Sequence, residues 1–488
     1  LTKRKAKPTD LATPAVADPS GPSILVDRTD WHDWWQVRRA RMAEERKAKA
    51  SPSGRAKKAA DVGQSSLMRC LLSGELTEPQ PTHNKIEGLS DVGGLAMGDT
   101  LTSFDKDAFG SFGLEQGANA AMSETMVKTY VIALNHLIRY RSHRLAGAKV
   151  VYWYSGPVAH DDDPLRELFE GFGLPVPDDS SQEAESEESR LAEKRDRPQA
   201  ECCAARLLKA IESGNDPQVA RLREFRYYAM TLSANSGRVV VRDVMEGRFE
   251  DLVRAVDAWF ADLAIVHRNG FDVIRTHKFA SILAAPLRDL KDAAAPLVTA
   301  LWRSAVNRRP IPHHVIVQTL QRVRIDLIQD EPPRHARFGL LKAFCNREKG
   351  IPSMTPQLNE YETHPAYLSG RIMAILAAIQ RQAMPNVGVG IVQRYFAAAS
   401  VTPALVLGRL VRTAQIAHLP KIESDFPGLR HWFESRLAEV WQGLRQSPPR
   451  VLTLEGQTLF AMGYYHQIAQ RYQAKDDGGD NQEDAAVA

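Results

Sequence analysis

Leu101-Thr-Ser-Phe-Asp-Lys-Asp-Ala-Phe-Gly-Ser-Phe-Gly-Leu-Glu-Gln-Gly-Ala-Asn-Ala-Ala-Met-Ser-Glu124 is the stretch around which the rest of the chain is best read. It holds three phenylalanines and three glycines and runs straight into an amphipathic helix. Glycine lets backbone approach backbone closely, while Phe104, Phe109 and Phe112 are expected to anchor the loop in a core. The helix is marked by Met126, Tyr130, Leu134 and Leu137 at i, i+4, i+8 and i+11. Val127, Val131 and Ile138 widen that stripe, and Ser123 is placed to cap it. On these residues alone the stretch is a packed connection from strand to helix.

Working outward, Lys149-Val-Val-Tyr-Trp-Tyr154 is β-branched and aromatic between Gly147 and Gly156, which predicts a strand over 149–154. Tyr227–Leu232 and Arg238–Val244 form a predicted hairpin, because Ala234-Asn-Ser-Gly237 supplies residues that tolerate positive φ. From Phe249 to Tyr472 the periodicity is helical almost throughout, including one long predicted helix from Lys278 to Val306. The expected class is α+β, a mixed body with a few strands and hairpins followed by a C-terminal helical bundle. Its expected divisions are a basic, partly flexible lead over 1–66, a body over 67–350, the bundle over 351–473 and an acidic tail over 474–488. Asp178–Gln199, rich in Ser and Glu, has too little apolar surface to offset its ordering entropy and is expected to be a disordered loop.

The 488 residues suffice for two to four domains, and no apolar run reaches the ~18 residues of a membrane span. Four cysteines without a Cys-x-x-Cys spacing suggest a reducing, cytoplasmic setting and no zinc knuckle. The net charge of +4 averages segments of opposite sign. Leu301–Lys349 carries 10 basic against 4 acidic residues, and Glu362–Tyr472 carries 11 against 6. Either block is a solvated surface or a face for a polyanion. In the lead, Trp31-His-Asp-Trp-Trp35 precedes a helical stretch from Gln36 to Ala50; with Arg38, Arg39 and Arg41 it can stack on bases or dock on the chain itself.

A search for chemistry finds little. There is no phosphate-binding Gly-x-x-x-x-Gly-Lys-Ser/Thr loop, and Gly388-Val-Gly390 lacks the third glycine of a dinucleotide site. His160-Asp161 has the form of a metal-dependent phosphohydrolase pair but sits in a polar loop. His313-His314 has no carboxylate at helical spacing, and Cys202-Cys203 fits half-buried packing. No cofactor and no catalysis are expected.

Several motifs, in order, resemble one family. Ser103-Phe-Asp105 with Ala108-Phe109, Ser111-Phe-Gly113, Gln116, Asn119-Ala120 and Ser123 is similar to the signature of the large subunit of type I-C CRISPR Cascade complexes. Cys70-Leu-Leu-Ser-Gly-Glu75 and His83-Asn-Lys-Ile-Glu-Gly88 resemble its upstream segments. Ala133-Leu-Asn135, Leu232–Arg242, His364–Arg371, Arg394–Ser400 and Thr402–Ala404 resemble downstream runs, so the likeness extends from about Cys70 to about Lys421. Family members carry a further N-terminal region, and this chain, opening at Leu1, is expected to enter after it.

The resemblance implies a bacterial, cytoplasmic protein that binds nucleic acid without cutting it. It helps recognise the protospacer-adjacent motif, open double-stranded target DNA and hold the displaced strand. Implied partners are the guide RNA (crRNA), target DNA, the repeated backbone subunit, the subunit holding the guide's 5′ end, the small subunit and a recruited helicase-nuclease. The C-terminal part resembles that small subunit, with Met354 or Met373 as candidate internal starts. Candidate phosphate contacts are Lys85, Lys106, Arg238, Arg242, Arg371, Arg394, Arg409 and Arg412, since sequence-independent holding needs Lys and Arg on phosphates. Arg409 and Arg412 share a helix face. The alternatives are a metal-dependent nuclease and a purely structural scaffold.

Overall fold

The computed structural model describes residues 15–18, 21–24, 32–35, 37, 38, 41, 42 and 67–473, except 111, 171–202, 214–218, 220, 276, 427 and 446. The expected disordered loop over 178–199, the acidic tail, and Trp31, Arg39 and Cys202 lie outside the described residues. Two compact units are present, Leu1–Arg69 with Leu76–Glu78, and Cys70–Glu75 with Pro79–Ala488. The first contains an antiparallel pair, Ala15–Asp18 with Gly21–Ile24. Positions 32–35, 37, 38, 41 and 42 are helical there, with Trp34 and Trp35 about half exposed.

The second unit is α+β. Its sheet has four antiparallel strands in sequence order, β1 (Ser142–Leu145), β2 (Ala148–Tyr154), β3 (Arg226–Asn235) and β4 (Arg238–Arg248). The predicted hairpin is β3–β4, closed by Ser236 at φ 50° and Gly237 at φ 85°, the left-handed pair that a two-residue turn requires. Side chains alternate across a strand, and here both faces are covered. Val151, Leu232, Ala234 and Val239 pack on one side against α1 (Glu124–Tyr140). Val150, Tyr152, Tyr227, Ala229 and Met245 join the main core on the other.

Ser123 caps α1, its hydroxyl accepting from the Met126 amide at 3.3 Å. Its buried line is Val127, Val131, Leu134 and Ile138, whereas Met126, Tyr130 and Leu137 lie at the half-buried margin. The helix is therefore rolled slightly from the predicted stripe.

The longer remaining helices are α2 (Cys203–Ser213), α3 (Phe249–Leu263), α4 (Ala295–Asn307), α5 (His313–Ile328), α6 (His335–Arg347), α7 (Pro365–Ala383), α8 (Ile391–Ala399), α9 (Pro403–Thr413), α10 (Leu429–Gly443) and α11 (Leu454–Gln473), with short helices at Pro164–Glu170 and Leu419–Asp425. The single helix predicted from Lys278 to Val306 is broken. A short helix, Phe279–Ala284, stops before Pro286, a 3₁₀ turn follows at Leu290–Asp292, and α4 restarts with Pro296 in its first turn. Proline has no amide to continue a helix but suits its start. One continuous core runs from Leu145 to Ala469, passing residues 350 and 351 without interruption.

The basic block from Leu301 to Lys349 is divided: Arg337 and Lys342 are buried and Arg347 half-buried, whereas Arg303, Arg308, Arg309, Arg334 and Lys349 are exposed. Lys342 on α6 donates to the carbonyls of Ala261 and Asp262 at the end of α3, at 2.9 and 3.0 Å. Arg347 reaches Asp262 at 2.7 Å and the Ser304 carbonyl of α4. Arg337 donates to the Ala285 carbonyl at 3.0 Å and pairs with Asp326 of α5. These cations satisfy carbonyls that helix ends leave open, and complement the negative end of each dipole. Helices α7 and α11 cross with backbones touching. A Cβ on Gly370 would sit 2.0 Å from the Phe460 carbonyl oxygen, and one on Gly463 2.0 Å from that of Tyr367.

Candidate nucleic-acid interface

Two backbone pairings lay the motif-bearing segments side by side. Ile86 and Asp99 exchange two hydrogen bonds of 2.8 Å, which sets exposed Lys85 next to the start of the loop. Thr100 then donates to the Gly237 carbonyl at 2.9 Å and accepts from the Val239 amide at 3.0 Å, fixing the loop to the β3–β4 turn. At its far end the loop is pinned again, the Gly117 amide donating to Pro81 at 2.9 Å. Gly117 is required here because a Cβ would lie 1.9 Å from the Gln80 carbonyl oxygen.

Between these anchors none of the three phenylalanines enters a core, contrary to the expectation: Phe104 is half-buried and Phe109 is 36% exposed. Phe104 and Phe109 pack edge to face on each other, with centroids 5.4 Å apart at 82°. Phe112 is left 92% exposed. Leu95 and Met97, 50% and 82% exposed, extend the apolar surface, with Leu95 lying against Gly237.

Lys106 is exposed and makes no ion pair among the described residues. Arg238 at the start of β4 pairs with Asp105 of the loop at 2.9 Å, both side chains about half or more exposed. The fold thus gathers Lys85, Lys106 and Arg238 around one glycine-rich, phenylalanine-tipped loop. Arg242, on the same strand, is exposed but turned toward the Ser233 hydroxyl, its Nε donating at 2.8 Å.

The C-terminal candidates divide. Arg394 on α8 and Arg409 and Arg412 on α9 are exposed and make no ion pair among the described residues. Leu405 and Ile416, 76% and 66% exposed, fall at i−4 and i+7 of Arg409. Arg371 is a correction: it is 2% exposed inside α7, its Nε donating to Gln467 of α11 at 2.9 Å. Burial lowers its guanidinium pKa. It is a core residue because Gln467 on α11 supplies the acceptor.

Near the His160-Asp161 pair, Asp163 is buried and accepts from the hydroxyls of Tyr152 and Tyr154 at 3.0 and 2.6 Å. It also accepts from the Leu165 amide at the start of the next helix, so this carboxylate is committed to structure. His160 contacts Arg166. Among the described residues, no three His, Cys, Asp or Glu side chains converge as a metal-ligand set.

Sequence reading missed Asp105 as a partner and Phe112, Leu95 and Met97 as surface. A signal existed for the last two, since Gly94-Leu-Ala-Met-Gly98 is an apolar run between glycines, too short for a buried element.

An α+β body carrying a loop-centred group of lysine, arginine and exposed aromatic belongs, by its sequence, to the class of CRISPR-associated proteins. The family model described as CRISPR-associated protein (Cas_Csd1) matches residues 20–472. The chain belongs to that family, which comprises type I-C Cascade large subunits. Among curated proteins none matches it. No described helix is long and apolar enough to cross a membrane.

Proposed function

We propose that this Cascade subunit grips double-stranded target DNA at the Leu101–Glu124 loop, helps read the protospacer-adjacent motif, and helps open the duplex without cutting it. The observation that carries the reading is that Lys85, Lys106 and Arg238 lie on or against the Leu101–Glu124 loop, the same loop that leaves Phe112 exposed. Cations on phosphates give sequence-independent affinity, and an apolar side chain beside them can enter a base step and kink it. Base pairing with the guide then reads sequence, as in other RNA-guided effectors, while protein reads a short duplex motif. Arg394, Arg409 and Arg412 serve as a second phosphate-contacting surface for the displaced strand. Guide RNA, the repeated backbone subunit, the subunit at the guide's 5′ end, the small subunit and a recruited helicase-nuclease complete the assembly.

The test is binding of a labelled target duplex by the assembled complex carrying Phe112→Ala, with a base-analogue fluorophore reporting strand separation. Strand opening should fall at least tenfold while duplex binding changes less. Unchanged opening would overturn the role of the loop. Cleavage of DNA by the purified chain with metal and ATP would instead favour a nuclease.

A further inference from the structure

The Asp105–Arg238 pair is unusual in its placement. The loop is pinned at Thr100 and at Gly117 by backbone contacts, and the phenylalanine packing between them is internal to the loop. Asp105 returns the middle of the loop to the sheet by bonding Arg238 at 2.9 Å, next to the left-handed Ser236–Gly237 turn. Both partners are water-exposed, 48% for Arg238 and 67% for Asp105, so the pair holds the loop only weakly.

We propose that Asp105 is an internal surrogate for a backbone phosphate on Arg238. In free protein the carboxylate occupies the guanidinium; on contact with duplex DNA a phosphodiester oxygen takes its place. Arg–phosphate and Arg–carboxylate bonds share the same donor geometry, so one anion replaces the other without moving Arg238. Asp105, once displaced, is repelled by the phosphate, and the loop is freed to carry Phe112 forward. Lys106, the next residue, is drawn to the same strand. The inference rests on the proposed DNA-gripping role, and it adds a resident competitor to that site.

Four variants and one control test it in the assembled complex: Asp105→Asn, Arg238→Gln, their double variant and Lys106→Ala, with Asp107→Asn as the control that makes the same change of charge two residues away. Asp105→Asn should bind duplex roughly two- to fivefold more tightly. The gain should vanish when Arg238→Gln is added, and Asp107→Asn should not reproduce it. Without DNA, amide hydrogen exchange over residues 101–110 should quicken in Asp105→Asn.

An equal gain from Asp107→Asn, or a gain that survives Arg238→Gln, would reduce the effect to net charge and overturn the surrogate. No gain from Asp105→Asn, while Lys106→Ala still weakens binding, would overturn the surrogate and leave the DNA-gripping role standing. If neither change alters binding, both fall.

Discussion

Asp326 of α5 and Arg337 of α6 form an ion pair inside the core, 2% and 1% exposed. Arg322 approaches the same carboxylate at 3.4 Å. Burial lowers the Arg337 pKa to about 10, with Arg322 a second, smaller cause. Removing one member of a buried pair strands the other, so Arg337→Met should destabilise the protein by about 3–5 kcal/mol. Adding Asp326→Leu should recover much of that. Chemical denaturation of the single and double variants checks both; a double variant weaker than the single would refute the account.

Two buried histidines, His277 and His466, and half-buried His335 set an acid limit on stability. Burial brings His277 down to about 4, and His335 to about 3 with help from His267, His277 and Arg268. His466 also falls to about 3, through burial and then Lys342 and Arg371. Each is neutral when folded and prefers a proton when unfolded, where its pKa is near 6.5. The stability is thus present above about 6.5 and is lost as pH falls from there toward 4 and then 3. Each contributes up to ~1.4 kcal/mol per pH unit within the window. Melting curves between pH 7.5 and 4.5 should show a steepening loss, shallower in His466→Gln.

Phosphate contact and core support are separable among the arginines. Lys85→Ala and Lys106→Ala should each reduce the slope of log affinity against log salt by ~0.9, with unchanged melting. Arg371→Met should lower the melting temperature and leave the salt slope alone, since its partner is Gln467. A slope change in Arg371→Met would contradict its burial.

The crossing of α7 and α11 tolerates no side chain. Alanine at an exposed helical glycine adds ~1 kcal/mol of stability, but Gly463→Ala must push the Tyr367 carbonyl away from 2.0 Å. Overpacking costs ~1–3 kcal/mol, so the net effect should be destabilising. Gly408→Ala at an exposed position of α9, where a Cβ meets nothing within 4 Å, should stabilise and serves as the control.

Much of the scaffold was legible in the sequence because periodicity is local. The β3–β4 hairpin announced itself through Asn235-Ser-Gly237, and α1 through its apolar spacing and Ser123. The break at Pro286 was overlooked because alanine and leucine on both sides keep a helical period. The site was half legible. That Phe104 meets Phe109 instead of entering a core is a tertiary outcome, and no composition gives it. The arginines were least legible, since Arg337 and Arg371 owe their burial to a carbonyl or amide 52 and 96 residues away.

The glycine crossing bears on the two methionines considered as internal starts. Met354 lies before α7 and Met373 three residues beyond Gly370, within it. A product begun at Met373 would lack half of the crossing, so Met354 is the start that preserves it. Such a product would still lack α6, whose Phe338 stacks on Tyr465 at 4.2 Å. It would carry a bare apolar flank where α6 had been, a shape fit for company rather than for solitude.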